Sequence, residues 1–188
     1  PTMPVELLES APVRLPGQAL KAVVIDMGPT MPSNWVALSA GDWTETLKSH
    51  AGLRAAGVDV ATVSTARELR RLLTAPTVER PFAVINPGGE TFYAEDEASA
   101  LSMLDAIRDY VRNGGIWWET GGYSFHGCAY LKADGTWARG QLGPGGANRM
   151  GFSCAGMPVE ARPEGLLVSK FGRSWFGDTV SAQIDGCA

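Results

Sequence analysis

The sequence predicts an α/β fold of flavodoxin-like type, a three-layer doubly wound parallel sheet with a C-terminal β-rich extension, and three observations predict it. Short apolar runs closed by polar or glycine-rich turns occur at 21–28, 58–64, 81–90 and 116–120. Segments with apolar residues at steps of three and four fall between them, so strand and helix alternate, and right-handed crossovers turn that alternation into a parallel sheet. The 188 residues, 45% of them hydrophobic, supply one full core but not two ordinary domains.

Residues 1–20 hold four prolines and no sustained period, and read as an extended lead-in. The first strand, 21–28, is apolar and closes on Gly28-Pro29, with Asp26 near its end. A loop of turn formers runs on to Trp43. Thr44 to Ala56 carries Leu47, Ala51, Leu53 and Ala55 at near-helical spacing, with Gly57 as its C-cap. Alternation at 58–64 predicts the second strand, and 65–73 a short helix. Pro76 and Pro81 bracket the linker to the third strand, 81–90, which ends in Pro87-Gly88-Gly89-Glu90.

The strongest helix signal covers 95–112, where Ala98, Leu101, Leu104, Ile107, Tyr110 and Val111 recur at steps of three and four. Acidic residues fill its first turn, Arg108 and Arg112 lie near its last, and Asn113-Gly114-Gly115 ends it. The fourth strand, 116–120, leads into Gly121 and Gly122. Beyond Cys128, an Asp134-Gly135 turn between short runs predicts a hairpin, 141–151 a glycine-rich loop, and 156–188 two further strands. The core is thus 21–128, and 129–188 an extension of the same domain. Its want of a closing helix points to a chain cut short, and Pro1 in place of Met allows for an upstream leader or domain removed.

Sixteen basic against twenty acidic residues give a net charge of -4, with the basic ones scattered, so nucleic acid is not an expected partner. No apolar run approaches the ~18 residues that span a bilayer, and 1–20 lacks the pattern of a signal peptide, so the chain reads as soluble with no membrane partner. Cys128, Cys154 and Cys187 fit either one bridge and a free thiol or three reduced thiols, and therefore either an extracytoplasmic or a cytoplasmic setting. No pair has the spacing of a zinc knuckle; no metal and no cofactor are expected.

Ligands of open parallel sheets bind beyond the strands' C-terminal ends. Asp26, Glu90 and Glu119 each fall at or just past such an end, so the predicted fold brings three carboxylates toward one crevice, with Gly88, Gly89, Gly121, Gly122 and Tyr123 as the turn residues around them. Carboxylates so placed can hold a divalent cation, bind sugar hydroxyls, or divide into a general acid and base. They can equally cap helices or accept backbone N–H groups. Ser124 with His126 suggests a serine elbow, although His126 stands where the tight turn needs glycine; the competing reading makes Ser124 the N-cap of a following helix, with Cys128 a buried hydrophobe a turn into it. Trp117 and Trp118 must point to opposite faces of their strand, which predicts that both pack under helices, whereas Trp35 and Trp43 on the first loop are free to line a pocket or a subunit contact.

The third strand with its PGG turn, a helix closed by NGG, a short apolar strand and another glycine-rich turn together resemble the class I glutamine amidotransferase-like superfamily over about 21–126. The chain looks most like the amidotransferase-like domain that precedes some biotin-protein ligases, with trehalose-utilisation-like and beta-galactosidase trimerisation domains as relatives. The resemblance implies a nucleophile elbow after the fourth strand, with PGG amides facing the oxyanion and a downstream His and Glu completing a triad. Counted from NGG, the nucleophile position is Gly121, flanked by Glu119 and Tyr123 rather than small residues, and neither His50 nor His126 lies where the triad histidine belongs. Glycine cannot attack, so the expectation is a degenerate, non-catalytic domain that binds a small molecule or saccharide, or that serves assembly as a homo-oligomer or beside a neighbouring domain. A hydrolase built on Glu119, Glu90 and Asp26, or on Ser124 and His126, is the alternative.

Overall fold

A computed structural model describes residues 20–27 and 38–151, with the strand pair 166–167 and 183–184. The lead-in up to residue 19, the loop 28–37 with Trp35, Cys154, Cys187 and most of the extension beyond 151 lie outside the described residues. In chain order the elements are β1 (Lys21–Ile25), α1 (Ala40–Ser49), α2 (Ala51–Ala55), β2 (Asp59–Val63), α3 (Ala66–Leu73), β3 (Ala83–Asn86) and β4 (Thr91–Tyr93). They continue with α4 (Ala100–Arg112), β5 (Ile116–Glu119), β6 (Gly127–Leu131), β7 (Trp137–Gln141), α5 (Pro144–Met150), β8 (Leu166–Leu167) and β9 (Gln183–Ile184).

The main sheet has the order β2-β1-β3-β5, every pair parallel, with Val24 beside both Thr62 and Ile85, and Asn86 beside Glu119. Successive residues of a strand face opposite ways, and the strands are apolar on both sides. Val23, Ile25, Val63 and Val84 pack with Leu69 and Leu73 of α3 and with Met103, Leu104, Ile107 and Tyr110 of α4. Ala22, Val24, Val60, Ala83 and Ile85 form the other face, covered by Trp43 and Leu47 of α1. Helices therefore flank a parallel sheet on both sides, an arrangement consistent with a flavodoxin-like α/β fold. Tyr110 is fully buried, and its hydroxyl donates to the carbonyl of Pro81 at 3.0 Å, tying α4 to the entrance of β3.

Several expected elements differ. The first helix starts at Ala40 because Ser39 and Asp42 close a capping box, so Trp43 is a helix residue and not part of the loop. The single helix expected over 44–56 is two, since His50 is extended; it ends α1 through its N–H and starts α2 by accepting from the Leu53 N–H on Nδ1 at 3.4 Å. The helix expected from Glu95 begins only at Ala100. Asp96 and Ser99 bond each other's backbone in a local turn, which competes with helix there. Ala98 thus precedes α4, and Leu101 and Val111 are exposed while Met103, Ala106 and Ile107 supply the buried face.

The glycine-rich 141–151 stretch contains α5, made possible by Pro144 in the first turn and by Gly151, left-handed at its C-cap. Trp117 packs against the core as expected, but Trp118 is 49% exposed: β5 ends the strand order, and from α1 Trp43 reaches it in an edge contact of 5.3 Å. No helix follows β5. The turn there leads into β6, which pairs in parallel with β4 and antiparallel with β7, a second sheet that the sequence did not suggest. Ser124 therefore caps no helix, and Cys128 lies buried on β6. The hairpin at Asp134-Gly135 is present as β6–β7.

Two compact units divide the chain, Pro1–Cys154 and Ala155–Ala188. The second sheet and α5 belong to the first; in the second, β8 and β9 pair antiparallel. No helix among the described residues is long and apolar enough to cross a membrane.

Candidate functional site

Asn86, the last residue of β3 and fully buried, organises the turn that follows. Its Nδ2 donates to the carbonyls of Gly89 at 3.2 Å and Thr91 at 3.0 Å, and its Oδ1 accepts from the Gly88 N–H at 3.0 Å. The Gly89 N–H turns back to the Asn86 carbonyl at 3.4 Å. Both amides of the turn are spent inside it, so they do not face an oxyanion, as the amidotransferase likeness implied. A side chain at Gly88 would stand 2.8 Å from the Thr91 carbonyl oxygen and 3.1 Å from the Tyr93 hydroxyl, so only glycine fits. Asn86 was missed in the sequence, where PGG drew attention from the residue before it.

Beyond the ends of β1 and β3, where the strand order reverses, lies a cleft of about 100 Å³. Asp26 and Met27 form one wall, Gly88 and Tyr93 another, and Ser39 and Gly41 at the start of α1 a third. Burial, and then the negative charge of Asp26, push the Tyr93 hydroxyl above the usual range of a phenol. The Ser39 hydroxyl and N–H both reach the Asp42 carboxylate, at 2.7 and 3.0 Å, and hold its pKa below the usual value.

Glu90, Glu119 and Asp26 occupy different surroundings, and among the described residues no three His, Cys, Asp or Glu gather closely enough to hold a metal ion. Of these carboxylates Asp26 lines the cleft. Glu90 is buried and ion-paired: Oε1 accepts from Arg139 of β7 at 2.5 Å, and Oε2 from the Tyr123 N–H at 3.4 Å. Burial pushes its pKa up, but the Arg139 hydrogen bond, the Tyr123 amide and the charges of Arg139 and His126 outweigh it, and the carboxyl is held below its usual range. Gly122 lies over this carboxylate with φ of 77°, where a Cβ would stand 2.8 Å from that of Glu90.

Glu119 sits behind the same turn, with both oxygens out of solvent and without a hydrogen bond of full geometry. Burial pushes its pKa up to about 7; the Ser124 hydroxyl, the Phe125 N–H, the Trp117 indole and the Asn86 side chain approach it and offset part of that. Phe125 has φ of 59°, rare for a non-glycine residue. Gly121 stands in the turn immediately after Thr120, whose hydroxyl donates to the Asn86 carbonyl at 3.2 Å. Tyr123 is exposed, with its ring 6.1 Å from that of His126. Cys128 is buried on β6, and burial pushes its thiol pKa up to about 12.

No family model, no curated protein and no solved structure matches the chain.

Proposed function

We propose that the chain is a non-catalytic, amidotransferase-like α/β domain that binds a small polyhydroxyl molecule in the cleft beyond β1 and β3. The observation that carries this reading is the polar lining of a cleft at the point of strand reversal, the place where open α/β sheets bind ligands. Asp26 accepts hydrogen bonds, the first turn of α1 presents N–H donors, and the Tyr93 hydroxyl does both, while the Ser39 hydroxyl is held by Asp42 in the capping box. Ligand hydroxyls, which also donate and accept, complement such a mixed set better than an ion of either sign. Gly121 in place of a nucleophile, and PGG amides already bonded to Asn86, argue against transfer of an amide from glutamine. Titration with glycerol, inositol and methyl glucoside, followed by amide chemical shifts, tests it. Shifts are expected to centre on Asp26, Gly41 and Gly88, and Asp26→Asn is expected to weaken binding about tenfold, as loss of a hydrogen bond to a charged acceptor does. Unmoved amides, or equal affinity in the variant, would overturn the reading.

A second reading is favoured by one observation: the Glu119 carboxyl, near neutrality, faces the Ser124 hydroxyl across a turn containing left-handed Phe125. A carboxyl so tuned suits a general base to a serine nucleophile. Hydrolysis of p-nitrophenyl acetate that disappears in a folded Ser124→Ala variant would establish it; unchanged background turnover would dismiss it.

A further inference from the structure

The cleft is not isolated along the sheet edge. The Asp26 N–H donates to the carbonyl of Val63 at 2.8 Å, so the end of β1 lies directly beside the end of β2, where Ser64 opens a second depression. This groove has a volume of about 370 Å³, against about 100 Å³ for the cleft. Tyr93, which lines the cleft, meets Trp137, which lines the groove, edge to face with ring centres 5.8 Å apart. One aromatic contact thus joins the linings of the two depressions.

We propose that cleft and groove are two subsites of one site, which takes a neutral glycoside of at least two rings, with the second ring against Trp137. The inference rests on the polyhydroxyl reading of the cleft. Its own support is the chemistry of the groove. Trp137 and the half-exposed Leu131 offer an apolar floor that matches the C–H face of a pyranose ring. The rim is polar: the two oxygens of Glu95 are paired with Arg67 and Arg70, each at 3.5 Å, which leaves one positive charge in excess. Thr65 accepts from the Glu68 N–H at 3.2 Å and keeps its hydroxyl proton for a ligand. A bare cation would meet the net positive charge of the Arg67–Glu95–Arg70 arrangement, whereas hydroxyl groups can bridge it without separating the charges. A wholly apolar ligand would leave this rim unsolvated and unpaired. The glycoside satisfies floor and rim together.

Calorimetric titration with methyl glucoside, maltose and cellobiose tests the proposal, with tryptophan emission as a second signal. At least one disaccharide is expected to bind about tenfold more tightly than methyl glucoside and to change the emission. Trp137→Ala is expected to bring the ratio of disaccharide to monosaccharide affinity close to unity. Because Trp137 also packs against the core, Arg67→Ala is the second variant; its side chain is 89% exposed, so the fold does not depend on it, and it is expected to lower the same ratio about threefold. Monosaccharide binding with no gain for either disaccharide, or a gain untouched by both variants, overturns the two-subsite site and leaves the cleft standing. Failure of all three sugars to bind removes this inference, and the cleft reading falls with it where glycerol and inositol also leave the amides unmoved.

Discussion

Raising the pH from about 4.5 to about 7 is expected to lower the unfolding free energy of the protein by up to about 3 kcal/mol, and Glu119→Gln is expected to abolish that loss. Glu119 has its pKa raised on folding, from 4.5 to about 7, by burial. Between those values the folded chain holds a proton that the unfolded chain has released, so the slope of unfolding free energy against pH is negative. Below the lower value both states are protonated and the penalty is absent; above the upper one both are ionised and the penalty is constant. Glutamine carries no charge at any of these pH values and keeps the shape, so the variant is expected to match the parent near pH 4.5 and exceed it at pH 7.5. Urea unfolding at half-unit pH intervals measures both curves. A parent curve that rises over this range, or a variant curve that still falls, contradicts a Glu119 carboxyl raised by burial.

That carboxyl marks the boundary between what was legible in the sequence and what was not. Residues 21–28, 58–64, 81–90 and 116–120 announced strands because a sheet covered on both faces needs unbroken apolar runs, and each contains one of the four parallel strands. Placement of Asp26, Glu90 and Glu119 near strand ends followed from the same runs. Their separate surroundings did not, because these depend on partners far along the chain: Arg139 lies 49 residues from Glu90, and no local pattern links them. The second sheet was hidden for a related reason. Its first strand, β4, is three residues long and directly follows the PGG turn, too short for a period of two to mark it. His50, too, reads as one more residue of a helix until its side chain is seen capping the next. Opposite-facing side chains are both covered only where helices lie over both faces of the strand; at the end of the strand order Trp118 has neighbours on one side only among the described residues.

Arg139→Met is expected to cost about 3 kcal/mol, more than Glu90→Gln, and the double variant Glu90→Gln/Arg139→Met is expected to recover much of that loss. Glu90 reaches Arg139 across the gap between the PGG turn and the β6–β7 hairpin, and 11% of the Glu90 side chain is exposed. Removing the guanidinium leaves a nearly buried carboxylate with the 3.4 Å contact to the Tyr123 N–H as its remaining hydrogen bond. Removing the carboxylate leaves a guanidinium that is 27% exposed and can turn toward water, so the two single losses are unequal. The pair also sets a pH dependence opposite to that of Glu119. Glu90 has its pKa lowered on folding, so its contribution is present above its unfolded value of 4.5 and is lost as pH falls through the folded value. In Arg139→Met this acid-limb loss is expected to shrink, since Arg139 supplies both the hydrogen bond and the charge that outweigh burial. Urea unfolding of the single and double variants at pH 7 and across the acid limb reads each of these quantities. Additive losses in the double variant would mean that the hairpin is held to the turn by packing alone, and that the ion pair contributes nothing to keeping Gly122 and Tyr123 over Glu90.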